Sequence, residues 1–302
     1  MLERLTLAGA FTESWRAWRH RLAKCRAHAT PEAVHHLRVT SRRLAALVDV
    51  LGRVAPSLHK DCDRLADTVD AVLHHLSSLR DAQVQQQRVL AAAERQSGLD
   101  GLALHLGRRE THRQRRVRRA LRKLRLGRAR KTAARLRREL KRAPEPSPAS
   151  VQRAVDARFA AVRRRVARLQ PEKPDSIHRL RIAVKQFRYT AEIAATLSPL
   201  RLRHRPAIRA LQDQMGEAHD ADLLIERVKK FSSLSRFSDA GGDAAGDGSA
   251  ALLRALERER DRRVARVAAA TSEVDQWWPP PAIAARQPLT RTGQPGGRTR
   301  AK

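Results

Sequence analysis

The chain has 302 residues, 41% of them hydrophobic but only 3% aromatic, and 63 Lys and Arg stand against 31 Asp and Glu, giving a formal charge of +32. That length allows about two ordinary domains, and a field of that strength and sign points to a polyanionic partner. With only Cys25 and Cys62 there is no disulfide framework, and no apolar run approaches the roughly 18 residues of a membrane span; a soluble cytoplasmic protein with no membrane partner is expected.

Helical periodicity begins early. The apolar patch Leu7 to Phe11 is flanked by Glu3 and Glu13 and is too short for a signal segment. Thr30-Pro31 has the form of a cap followed by proline at the first helical position. Leu37, Leu44, Val48 and Leu51 then recur at helical steps up to the break Ala55-Pro56-Ser57. Leu65, Val69, Val72 and Leu76 mark the next helix, and Gly98 to Gly101 the next break. Residues 105–142 follow with 18 Lys or Arg and two acids, Glu110 and Glu139, a net +16 on one long helix or a pair of helices with a narrow apolar stripe. Such a segment should lie against something negative.

Ala143-Pro144-Glu145-Pro146-Ser147-Pro148 cannot be crossed by a helix. It divides the chain into halves of about 1–143 and 150–278. Val155, Val162, Val166 and Leu169 restart the helical pattern. Ser232 to Ser249 reads as a mobile loop. After Trp277-Trp278 comes a tail, 279–302, with five basic residues and no acid; disorder is the expectation there.

The halves repeat each other. Residues 34–51, VHHLRVTSRRLAALVDVL, align with 177–194, IHRLRIAVKQFRYTAEIA, at a shift of 143. His35 meets His178, Arg38 meets Arg181 and Arg42 meets Lys185. Further on, LHHLSSLRDAQV (73–84) aligns with LQDQMGEAHDAD (211–222) at a shift of 139, pairing Asp81 with Asp220. On a helix, His178, Arg181, Lys185, Arg188 and Tyr189 fall within a sector of roughly 100°. Leu180, Val184 and Phe187 occupy the other side. The first copy behaves alike, with His35, Arg38 and Arg42 on one face and Leu37, Leu44 and Val48 behind them. Each copy therefore buries one stripe and offers a cationic one.

His178, Leu180, Arg181, Lys185, Arg188, Tyr189 and Glu192, followed by Leu211, Gln212, Asp213, Met215, Gly216, His219 and Asp220, resemble the two signature motifs of the CHAD family of histidine-containing α-helical domains. The resemblance covers about residues 5–278. It implies an all-α fold of two four-helix bundles related by a pseudo-two-fold, with basic faces lining a central channel, and it implies binding of inorganic polyphosphate at polyphosphate granules. The residues carried over as polyphosphate contacts are His35, Arg38, Arg42, Arg43, His178, Arg181, Lys185, Arg188, Tyr189 and Arg209. The first copy departs from the second, with Ala45 where Arg188 stands and Ala46 where Tyr189 stands. The first-half site is thereby the weaker one. Asp81 and Asp220 are expected to orient an arginine of the stripe or to pair with one, not to touch an anion.

Other chemistry finds less support. No Walker loop, nucleophile elbow or zinc-type Cys/His spacing is present, so neither an enzyme nor a cofactor or metal site is expected. Adjacent histidines such as His35-His36 and His74-His75 point to different sides of a helix, among Arg and Lys that repel cations. Non-specific nucleic-acid binding stays open as the alternative: the charge favours it, while the few aromatic residues leave little for bases to stack on.

Overall fold

The computed structural model describes residues 6–198, 200, 202, 204–236 and 243–278. It consists of α1 (Leu7–Ala27), α2 (Pro31–Val54), α3 (His59–Ala93), α4 (Asp100–Lys123), α5 (Gly127–Arg142), α6 (Pro148–Val166), α7 (Pro174–Leu197), α8 (Arg205–Arg236) and α9 (Asp243–Ala270), with short 3-10 turns at Pro56–Leu58 and Thr271–Gln276. No strand occurs among the described residues, and the fold is all-α. The basic tail, 279–302, lies outside the described residues.

Local chemistry sets the boundaries. Thr6, Thr30 and Ser147 each stand in extended conformation ahead of a helix and accept a hydrogen bond from the backbone N–H three residues on, at 3.1, 3.2 and 3.2 Å. Each satisfies one amide that the first turn leaves unpaired. Pro31 and Pro148 sit just inside their helices, where a missing N–H costs nothing. Helices α3 and α4 are separated by Gly98, whose φ of 81° only glycine adopts freely. The basic segment 105–142 is split between α4 and α5 at Leu124–Leu126, and Arg26 donates to the freed Leu124 carbonyl at 2.9 Å. Within the interval from Ser232 to Ser249, α8 runs to Arg236 and α9 starts at Asp243; residues 237–242, where the composition predicts a mobile loop, lie outside the described residues.

Three apolar clusters hold the helices. The first draws Phe11, Trp18, Leu44, Leu47, Leu65 and Leu136 from α1, α2, α3 and α5, with Leu121 from α4. The first half is thus built from five helices rather than four. The second gathers Val155, Phe159, Leu180, Phe187, Met215 and Val267 from α6 to α9, closed by Trp277 and Trp278. Trp278 is anchored there by a hydrogen bond from its indole N–H to Asp156. The third joins Val89, Leu102 and Leu106 to Leu224, Val228, Leu252 and Leu256. Its origin is length: α3 has 35 residues and α8 has 32, so each reaches roughly 50 Å. Both overrun their own half, and their hairpin partners α4 and α9 add leucines to the cluster at the far end. There, Gly248 sits so close to the Ser97 carbonyl that a Cβ would stand 2.6 Å from it.

The repeated helices face one another. Helix α2 packs against α7, and α3 packs against α8, the contact pattern a local two-fold axis produces. This places the two cationic stripes on opposite walls of one space.

Candidate functional site

Between the halves lies a cavity of about 1010 Å³, lined from α2, α3, α6, α7 and α8. From α2 come His35, Arg38 and Arg42, and from α7 come His178, Arg181, Lys185, Arg188 and Tyr189. Eight of the ten residues picked from the sequence therefore converge. Arg43 and Arg209 do not line this space, and both are exposed. The reason for Arg43 is angular: one residue beyond Arg42 rotates about 100° around the helix. Arg209 lies near the start of α8, more than two turns before His219, and faces solvent.

The structure adds residues that were not picked. Arg80 enters the cavity beside Asp81 on α3, and His219 enters beside Asp220 on α8. The signal was present in the repeat, where the shift of 139 sets Arg80 against His219. The rings of His178 and His219 lie 4.8 Å apart at 42°. Arg158 of α6 also reaches the cavity, but its guanidinium is spent on protein: it grips Asp49 at 2.7 and 2.9 Å and donates to Gln186 at 3.1 Å. It forms wall rather than ligand contact.

Converging cations at partial burial have an electrostatic consequence. Burial, reinforced by Arg42, Arg181 and Arg38, lowers the Lys185 ammonium to about 5. Burial and then Arg181, His178 and Lys185 lower His219 to about 4. Arg38 falls to about 10, through burial and then Arg42, with Asp81 opposing. His178 and His35 are lowered as well, each chiefly by burial and then by neighbouring cations. Burial first, and crowding by neighbouring cations after it, therefore favour the neutral forms of Lys185 and His219 in the empty cavity.

Asp81 and Asp220, the pair matched by the repeat, are two of the seven carboxylates that line the cavity, with Asp49, Asp63, Asp70, Asp213 and Glu217. Burial raises both carboxyls of the pair, while Arg38 acts against this at Asp81 and Arg181 at Asp220. This fits the role expected of them as partners to the stripe arginines. Donors also remain unused. Arg181 Nε, Arg188 Nε and His178 Nδ1 are buried with no hydrogen-bond partner, a costly state for a polar group unless something binds there. Arg181 lies across Gly216, whose missing side chain makes room: a Cβ there would stand 3.3 Å from Arg181 Nη2.

The two copies also differ in how their side chains are occupied. Arg188 donates to Glu192 at 3.0 Å and stacks over the Tyr189 ring at 4.5 Å. Much of its charge is therefore matched internally. Tyr189 itself is only 7% exposed. Arg38 of the first copy makes one neutral contact, to Ser77 Oγ at 3.2 Å. Both halves supply cationic side chains to the cavity, Arg38, Arg42 and Arg80 from the first and Arg181 and Arg188 from the second, while Lys185, lowered to about 5, is neutral near pH 7.

Comparison with known proteins agrees with this architecture. A crystal structure of the CHAD domain from the plant Ricinus communis superposes with a TM-score of 0.61 at 18% identity, covering 88% of this chain and 90% of that one. PptA from Streptomyces chartreusis superposes with a TM-score of 0.59 at 17% identity, over 90% of this chain and 98% of that one. Comparison with curated proteins returns no match. The sequence matches the CHAD domain family over residues 9–229, and the chain belongs to that family.

Proposed function

We propose that this protein binds inorganic polyphosphate without hydrolysing it, holding the chain in the cavity between its halves, and that in the cell it resides at polyphosphate granules. The observation that carries this reading is convergence: two repeated basic stripes, far apart in sequence, meet across one cavity. A linear phosphate polymer carries about one charge per unit and no bases to be read. A row of guanidinium, ammonium and imidazole groups answers it, and Arg forks match its oxygens in pairs. Its entry would oppose the burial and the mutual repulsion that lower Lys185 and His219.

Binding without hydrolysis follows from the same chemistry. Activation of water on a phosphoryl group commonly uses divalent cations held by carboxylates. Of the carboxylates lining the cavity, Asp81 and Asp220 stand among Arg38, Arg80 and Arg181, which repel such a cation, while Asp49 is held by Arg158 and Glu217 by Arg263. No helix among the described residues is long and apolar enough to cross a membrane, which suits a granule-associated role.

Titration of the full chain with orthophosphate, short-chain and long-chain polyphosphate tests the reading. The long chain should bind far more tightly per phosphate, because it engages both walls at once. Arg38→Ala with Arg181→Ala should weaken long-chain binding by at least about 100-fold, at about 1.5–3 kcal/mol per charged contact. Undiminished affinity in a double variant of native helicity would place the site elsewhere. Release of orthophosphate that copurifies with the chain would refute the non-enzymatic part.

A further inference from the structure

The cavity uses little of this protein's positive charge. No residue of α1, α4 or α5 lines it, and the cluster containing Leu47, Leu65 and Leu136 stands between it and α5. Yet the segment 105–142, on α4 and α5, carries the net +16. Its apolar residues are buried along one stripe: Val117 and Leu121 on α4, then Ala129, Ala133, Leu136 and Leu140 on α5. Opposite that stripe, Arg115, Arg119 and Arg122 on α4 and Lys131, Arg138 and Arg142 on α5 are exposed. Among the described residues, the direct ion pairs made by this segment are Arg135 with Asp61 and Arg142 with Glu139, at 3.2 and 3.9 Å.

The last helix of the second half shows that the fold does not demand such a surface. Helix α9 has six basic residues and five acids. Its charges are paired to neighbours: Glu257 with Lys229 at 3.1 Å, Glu259 with Arg88, and Arg263 with Glu217. A closing helix can thus be neutralised in this architecture, and α5 is not.

We propose that the outward face of α4 and α5 is a second polyanion surface, which takes duplex nucleic acid through its phosphate backbone independently of the cavity. Geometry selects the duplex. On α5 the cations fan over roughly half the helix circumference, so they diverge, whereas a single phosphate chain is held best by groups that converge. A duplex offers two phosphate rows on either side of a major groove about 12 Å wide, close to the helix diameter of about 10–12 Å. Residues 105–142 contain no Phe, Tyr or Trp, so unpaired bases find nothing to stack on. The sole Gln, Gln114, is occupied with the Ala29 carbonyl at 3.1 Å, and Asn is absent. Recognition should therefore be of backbone, with little preference for sequence.

The experiment uses the full chain, a random-sequence DNA duplex, and long-chain polyphosphate as separate probes at physiological salt. Replacing Arg115, Arg119, Arg122, Lys131, Arg138 and Arg142 by Gln should weaken duplex binding by at least about tenfold and flatten its salt dependence by about 0.9 per lost contact. Polyphosphate affinity should stay within about twofold, since the cavity is untouched. Arg38→Ala with Arg181→Ala should leave duplex binding unchanged, whatever it does to polyphosphate, so the two readings fail separately. A smaller variant, Lys131→Gln with Arg138→Gln, guards against misfolding and should show part of the same loss. Native duplex affinity in the helical six-residue variant would overturn the proposal. So would equal loss of both ligands, or loss of polyphosphate alone, which would make this face another polyphosphate surface.

Discussion

The cavity and the outer face of α4 and α5 are both rich in Arg, but they treat charge in opposite ways. In the cavity, cations converge from two helices, are half-buried, and are interleaved with Asp81 and Asp220. On the outer face they diverge into solvent with little acid nearby. Burial makes a cation expensive when alone and strong when matched. Exposure makes it cheap to keep and subject to salt screening. The difference teaches that net charge alone does not predict what a basic protein binds; the direction in which cations point and how dry they are decide it.

The sharpest way to break this comparison is pH. In the empty cavity Lys185 sits at about 5 and His219 at about 4. A bound polyanion raises both, so binding takes up protons, and affinity should rise as pH falls from about 8 toward 5. An increase of about tenfold or more is expected, roughly one kcal/mol per unit of upward shift. Calorimetry in buffers of different ionisation enthalpy would count the protons. The duplex contacts assigned to α4 and α5 are Arg115, Arg119, Arg122, Lys131, Arg138 and Arg142, with no histidine among them, so duplex binding through them should change much less across the same range. Polyphosphate affinity that ignores pH would mean the cavity cations are not the ones engaged.

Next in size is the stability of the unliganded protein. The folded value of Lys185, about 5, lies far below its ordinary value of 10.5. Between those limits the unfolded chain binds the extra proton, so stability rises with pH through that window, and below about 5 the slope from this group vanishes. Lys185→Met should remove that dependence and stabilise the empty protein at neutral pH, on the order of 1 kcal/mol or more. Urea unfolding at several pH values measures both effects. A loss of stability at neutral pH would show that Lys185 is well matched within the fold.

Much of the fold was legible because its signals are local and periodic. Thr30-Pro31, the Pro-rich seam and the spacing of Leu65, Val69 and Val72 each fix a helix or its end without tertiary help. The paired stripes were legible through the repeat, which also held the clue to Arg80. What escaped depends on three-dimensional neighbours. The third apolar cluster exists because α3 and α8 overrun their halves, and Val89 and Leu224 do not announce each other in sequence. Arg188 and Tyr189 distinguish the second copy in sequence, but Arg188 is paired with Glu192 and stacked on Tyr189. Helical position finds a face; it does not report what already lies against that face.

A smaller effect isolates the positioning of one cavity arginine. A Cβ at Gly216 would stand 3.3 Å from Arg181 Nη2, so Gly216→Ala should push the guanidinium aside by a few tenths of an ångström. Within a helix the same change is favourable by up to about 1 kcal/mol. Stability should therefore hold or rise while polyphosphate affinity drops, by about threefold to tenfold for one weakened charged contact. Thermal unfolding and binding measured on the same preparation separate the two. Parallel gains in both would show that Arg181 does not contact the ligand.

The smallest effects should come from Arg43 and Arg209, basic residues that the structure keeps out of the cavity. Arg43 adjoins Arg42 in sequence but turns outward, and Arg209 faces solvent on the first turns of α8. Each can act on a phosphate in the cavity only through solvent, where a Debye length of about 8 Å at physiological salt attenuates it. Arg43→Gln or Arg209→Gln should shift polyphosphate affinity within about twofold, and added salt should erase even that. Arg42→Gln, one position away, removes a lining cation and should cost several times more, about 1.5 kcal/mol or above for a charged contact. Equal losses at Arg42 and Arg43 would mean that binding follows the charge of α2 as a whole, and the distinction between converging and diverging cations would fall with it.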